Sequence, residues 1–224
     1  MNVGELWRFP VKSMKGERLR EVEIAHDGIV GDRVVHAENE RGLITARTHP
    51  RLLGFAATTE QGEVHVDGRP WRDSQVAERV RSAVGADVGL VASDASTRFD
   101  VLPLLVATDG AIAAFGHDGR RWRPNIVVTG VEGLAEREWE GLGIMIGPVA
   151  VYLHSLRRRC VMTTYDPDTL AKDGRILRDI HRRFDGVLAL NAAVMRPGVV
   201  SVGDPVRLLA EEETDEILRG GSPD

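Results

Sequence analysis

A mainly β fold with flanking helices, organised around a barrel, is what this sequence predicts. Two observations carry that expectation. Short apolar alternations recur along the chain, each closed by a glycine-containing turn, as the strands of a barrel or tightly curved sheet are. Helical spacing is confined to three short stretches.

The first strand is expected over residues 3–9, stopped by Pro10. Alternating segments follow at 21–24, 33–37 and 43–46, then at 52–59 and 63–66, separated by turns at Asp27-Gly28, Gly42, Gln61-Gly62 and Asp67-Gly68. Asp73 or Ser74 caps a first helix that carries Val76, Val80 and Val84 on one face and ends at Gly85. A short strand at 88–91 comes next. Thr108 caps a second helix through Ile112 and Phe115, stopped by Gly116. Further strands are expected at 125–129 and over 143–153, which folds back at Gly147-Pro148. The third helix runs over 174–184, with Ile176, Leu177, Ile180 and Phe184 together. Strands at 199–202 and 206–209 complete the set. Residues 1–90 read as one β-rich subdomain and 91–210 as a second, with the join near 85–96. Residues 211–224, acidic and then Gly/Ser/Pro-containing, read as a mobile tail.

The 224 residues are 42% hydrophobic and 28% charged, the balance of a soluble globular protein. A net charge of −5 argues against a nucleic-acid partner. No apolar run long enough for a membrane span or signal peptide is visible. A single cysteine leaves no internal disulfide and suits a reducing compartment, so a cytoplasmic location is expected.

That cysteine is the chemical focus. Cys160 follows Arg157, Arg158 and Arg159 and precedes Thr163, Thr164 and an Asp-Pro-Asp-Thr turn at 166–169. Neighbouring guanidinium groups favour a thiolate, which is both a soft-metal ligand and a nucleophile. Cationic clusters lie at other strand ends: Lys12-Ser13-Met14-Lys15-Gly16, Gly31-Asp32-Arg33, and Arg120-Arg121-Trp122-Arg123-Pro124-Asn125. Taken singly, each reads equally as a solvated turn or a surface ion pair. Together they suggest a ligand with a phosphate or other anionic group near one thiolate. His49, in Thr45-Ala46-Arg47-Thr48-His49-Pro50, has no partner at metal-ligand spacing and reads as structural.

These clusters carry a family resemblance. The run 8–16, Gly31-Asp32-Arg33, Thr45-Ala46-Arg47 with Pro50-Arg51-Leu52, Arg123-Pro124-Asn125, Arg159-Cys160 with Thr163-Thr164 and the 166–169 turn, and Pro197-Gly198 with the run 202–206 occur in the order of the MOSC proteins. These are named for the C-terminal domain of molybdenum cofactor sulfurases, and the chain resembles especially their two-part members, the amidoxime-reducing components. The resemblance implies a β-barrel fold and a bound molybdenum–molybdopterin cofactor. It implies Cys160 as the protein ligand to molybdenum, and Lys12, Ser13, Arg33, Arg123 and Asn125 as residues holding the pterin and its phosphate. Arg158, Arg159, Thr108 and Asn191 fall at further cofactor or substrate positions. At two of these the family pattern differs: a serine is expected near Arg158, and a tyrosine where Asn191 stands. Thr108-Asp109 stands in place of a Ser-Glu pair.

The expected function is therefore reduction of small N-hydroxylated compounds. Electrons would come from a separate donor protein, since one cysteine cannot hold an iron–sulfur cluster. Two alternatives stand beside it: a sulfur carrier with a persulfide on Cys160, and a noncatalytic cofactor-binding module.

Overall fold

The computed structural model describes residues 1–220; the end of the expected tail, 221–224, lies outside them. One eight-stranded sheet dominates. Its strands lie in the order Val206–Leu208, Gly143–Ile146, Val149–Arg158, Val187–Arg196, Leu104–Thr108, Ile126–Thr129, Asn2–Arg8 and Glu17–Leu19. Neighbours are antiparallel except for Leu104–Thr108 and Ile126–Thr129, which run parallel. The sheet closes on itself where the chain ends meet: Val206 N–H donates to the Met1 carbonyl at 2.9 Å and Val3 N–H to the Asp204 carbonyl at 2.9 Å. Closure removes the unpaired edges that an open sheet would expose.

Apolar residues from both halves of the sequence fill this barrel, Val3, Leu6, Ile24 and Ile29 beside Ile126, Ile144, Val151 and Leu190. Segments before the expected join therefore share a core with the second half. A second core lies within the first 90 residues. There Met14, Val35, Leu52, Val64 and Val80 pack between two three-stranded sheets and the helix Ser74–Val84. A third joins the helices Asp109–Phe115 and Gly174–Phe184 to the outer face of the barrel through Phe115, Trp122, Ile180 and Phe184.

All three expected helices form, the expected caps Asp73 and Thr108 work, and Asp173 caps the third helix, for which no cap was expected. Asp73, Thr108 and Asp173 each accept a hydrogen bond from a first-turn backbone amide, and Gly116 takes the left-handed conformation (φ 74°) that ends the second. The expected strand over 52–59 is split. Pro50 starts a 3-10 turn, Pro50–Gly54, that buries Leu52, and the strand begins only at Ala57. The acidic segment expected to be a mobile tail instead forms a helix, Glu211–Leu218. Thr214 is buried and its hydroxyl accepts from Gly143 N–H at 2.9 Å, so this helix is tied to the barrel. Among the described residues, no helix is long and apolar enough to cross a membrane.

Candidate functional site

The site is assembled where the two halves meet. The strand Val149–Arg158 extends beyond the expected hairpin and carries Arg157 and Arg158 to one end of the barrel. Its register shifts between Leu153 and Ser155 and again between Leu156 and Arg158. A regular strand would turn alternate residues to opposite sides, but these irregularities let Ser155 through Cys160 all line one cavity of about 630 Å³. Lys12, Ser13, Arg33, Arg47, Asp100, Trp122, Arg123, Asn125 and Asn191 also line it.

Three of these residues hold left-handed backbone conformations: Ser13 at φ 71°, Arg33 at 52° and Arg123 at 59°. Non-glycine residues adopt this region only when the surroundings enforce it, and such strain gathers at ligand sites. Here the enforcing contacts are visible. The Ser13 hydroxyl accepts from Ala46 N–H at 3.0 Å, tying the Lys12-Ser13 turn to the smaller sheet. Arg33 N–H donates to the Phe9 carbonyl at 2.8 Å, and fully buried Asp32 accepts from Phe9 N–H at 2.7 Å while pairing with the Arg33 guanidinium. Arg123 caps the 3-10 turn Gly119–Trp122.

The electrostatics are unusual for a protein with a net negative charge. Burial, helped by nearby Arg33 and opposed by Asp32 and Asp100, pulls the Arg123 guanidinium down to about 9. Burial pulls Arg159 down to about 10, against the attraction of Cys160. Neither charge is fully bonded. Arg123 Nη2 and Arg159 Nε are buried without a hydrogen-bond partner, as are Trp122 Nε1 and Arg121 Nε close by. Buried donors left unpaired are costly, charged ones most of all. What these donors lack is an acceptor, and an anion supplies it best.

Cys160 is half-buried at the head of the 3-10 turn Val161–Thr164. Its carbonyl accepts from Thr163 N–H at 3.0 Å and from the Thr163 hydroxyl at 2.8 Å. Thr164 Oγ1 donates to the Val161 carbonyl, so both hydroxyls hold the turn. Asp166 closes the following turn by accepting from Thr169 N–H at 2.9 Å and Asp168 N–H at 3.1 Å. Arg121 and Arg120 clamp this loop through Asp166 (2.9 Å) and Asp168 (2.7 Å).

Cys160, Lys12, Ser13, Arg33, Arg123, Asn125, Arg158, Arg159 and Asn191, singled out from sequence, therefore converge on one cavity. Thr108 does not join them. Its buried hydroxyl accepts from Ala111 N–H at 3.1 Å and donates to Glu136 Oε2 at 3.2 Å, away from the cavity lining. Asp109 likewise accepts from the amides of Gly130 and Val131. The Ser-Glu position of the family is thus a helix cap in this chain. Asn125 lines the cavity, but its amide is engaged by Leu105 N–H and the Trp7 carbonyl, lashing three strands together. Sequence reasoning missed Asp100, which pairs with Lys12, Arg47 and Arg157. No local pattern marks it, because all three partners are distant in the chain.

Comparison with known proteins agrees with this arrangement. The MOSC N-terminal beta barrel domain matches residues 1–103, and the MOSC domain matches residues 112–207. Human mitochondrial amidoxime-reducing component 1 is 25% identical over an alignment covering 93% of this chain and 83% of that protein. Human mitochondrial amidoxime reducing component 2 is also 25% identical, covering 91% and 82%. Among solved structures, the YuaD protein from Bacillus subtilis shares the fold with a TM-score of 0.51 at 15% identity, covering 92% of this chain and 93% of its own. With both domains matched in sequence along nearly its whole length, the chain belongs to the MOSC family in its two-part form.

Proposed function

We propose that the protein is a reductase of N-hydroxylated compounds that holds a molybdenum–molybdopterin cofactor in this cavity. Cys160 serves as the protein ligand to molybdenum, and a separate protein delivers the electrons. The observation that carries this reading is the pairing of buried, unpartnered cationic donors on Arg123 and Arg159 with the chain's one thiol, in a single cavity.

The donor set fits such a cofactor. An anionic cofactor would offer the acceptors that Arg123 Nη2 and Arg159 Nε lack, and its phosphate would relieve the repulsion between Arg123 and Arg33. The Ser13 and Arg33 turns both line the same cavity. A thiolate is a soft ligand suited to a heavy metal ion. Among the described residues no three His, Cys, Asp or Glu side chains gather as a metal site, so a metal on Cys160 would bring its remaining ligands with the cofactor. When bound, the cofactor supplies two-electron redox chemistry that the side chains lack.

The relatives' name supplies the substrate class: for an amidoxime, cleavage of the N–O bond consumes two electrons and two protons and yields an amidine and water. The chain's own part is to hold the phosphate, present the Cys160 thiolate and, through the Arg120 and Arg121 clamps, keep the Cys160 loop in place.

The test is turnover of an aryl amidoxime with reduced methyl viologen, using protein made in a host with ample cofactor supply. Amidine formation that disappears in Cys160→Ser is the expected result. Loaded protein without turnover would leave a noncatalytic module. An intact mass heavier by one sulfur, removed by reductant and without molybdenum, would favour the sulfur carrier.

A further inference from the structure

A second cationic group lies in the same cavity wall. Lys12, Arg47 and Arg157 come from three separate segments and meet at one carboxylate, Asp100. Lys12 Nζ lies 3.0 Å from Oδ1 and Arg157 Nη2 lies 3.2 Å from Oδ2, which the Arg47 guanidinium also contacts. Burial would raise the Asp100 pKa, but the three cations outweigh it and hold the carboxyl below its ordinary range. Three positive charges against one negative leave this wall with a positive surplus. Arg157 is also aimed: its Nη1 donates to Asn191 Oδ1 at 3.2 Å, and the Asn191 amide is anchored on the Ser155 carbonyl and hydroxyl.

This cluster differs from the one around Arg123. There the donors are deeply buried and lack partners; here every cation already has a carboxylate. It is also more open, with the Arg47 side chain 44% exposed and Asp100 29% exposed. The deep group therefore suits the cofactor phosphate, and Arg47 and Arg157 are the cations of this wall more open to solvent. Guanidinium forks match carboxylates in shape as well as charge.

We propose that Arg47 and Arg157 form a subsite for a negatively charged group of the substrate, a carboxylate or phosphate remote from its N–O bond, which takes over their side of Asp100, while the more deeply buried Lys12 is left to the cofactor. Asp100 is the internal counter-ion that keeps the three cations assembled, and Asn191 is a positioning residue for Arg157. The identity of the ligand as a reducible N-hydroxylated compound rests on the reductase reading; the charge preference does not.

Calorimetric binding of 4-carboxybenzamidoxime and uncharged benzamidoxime to the purified full chain, without any electron donor, tests the subsite. The carboxylated compound is expected to bind about 10-fold tighter, the effect of one good charge-assisted contact. Arg157→Gln and, separately, the more exposed Arg47→Gln should each reduce that preference without changing the cofactor content. Asp100→Asn should increase it, because the internal competitor is gone. Equal binding of the two compounds to the native chain would overturn the proposal. So would weaker binding of the carboxylated one to folded Asp100→Asn, or cofactor loss in Arg157→Gln, which would assign the cluster to the cofactor. A preserved binding preference beside no turnover of either compound in the methyl viologen assay would sink the reductase reading and leave the subsite standing.

Discussion

The guanidinium of Arg123 lies 4.2 Å from the centroid of the Phe9 ring. Arg33 approaches the same ring at 5.2 Å. One aromatic side chain at the end of the first strand thus supports two like-charged residues of the cavity wall. A buried cation–π contact contributes on the order of 1–2 kcal/mol, similar to the roughly 1–3 kcal/mol that a left-handed non-glycine residue costs. Phe9 offsets the strain that sets Arg123 in place, and it leaves Nη2 for a ligand.

Arg123→Met should therefore act in opposite directions on stability and on binding. Removing a buried, incompletely bonded charge is expected to stabilise the cofactor-free protein by about 1 kcal/mol. The same change should abolish retention of the cofactor. Thermal melts of cofactor-free protein and pterin content after purification measure the two effects.

The two arginines that clamp the Cys160 loop should differ in weight. The Arg121 side chain is 9% exposed, bonded to Asp166 and to the Thr163 carbonyl, so Arg121→Gln should destabilise by about 2 kcal/mol. Arg120 is 40% exposed, and Arg120→Gln should change stability by less than about 1 kcal/mol. Hydrogen exchange should speed up at the amides of residues 163–169 in the first variant much more than in the second.

Thr108 and Glu136 test the reassignment of the Ser-Glu position. Thr108→Ala removes a helix cap and should cost about 1 kcal/mol, with cofactor content per folded protein unchanged. Burial raises the pKa of Glu136, only partly opposed by its bond to Thr108 and by Arg137. Between the ordinary and the raised value the folded protein holds a proton that the unfolded chain has released. Stability therefore falls as pH rises through that window and stays lower above it. Glu136→Gln should remove that slope and raise stability at neutral pH, which chemical denaturation across the pH range would show.

What the sequence made legible was local. Caps such as Asp73 and Thr108 and the stop at Gly116 can be read because the signal and the structure lie within a few residues. The cations at 12, 33 and 123 stood out because they lie near glycine or proline at strand ends, and Arg159 because it precedes the one cysteine; the family resemblance tied them together. The strands Leu104–Thr108 and Val187–Arg196 were invisible. Leu104 through Thr108 are all buried, as are Leu188 to Ala192, so neither shows the alternation of a half-exposed strand. The terminal helix was misread because an acidic run looks solvated, whereas Thr214 is bonded to Gly143 and Glu213 pairs with Arg207. Asp100 was missed because its role exists only once three distant segments meet.

Molybdenum X-ray absorption, with metal and pterin analysis on protein made in a cofactor-proficient host, tests the central claim most directly. The native chain is expected to hold stoichiometric molybdenum and pterin, with a metal coordination sphere that loses one sulfur in Cys160→Ser. Native protein that takes up neither, or a sphere unchanged by Cys160→Ser, would contradict it.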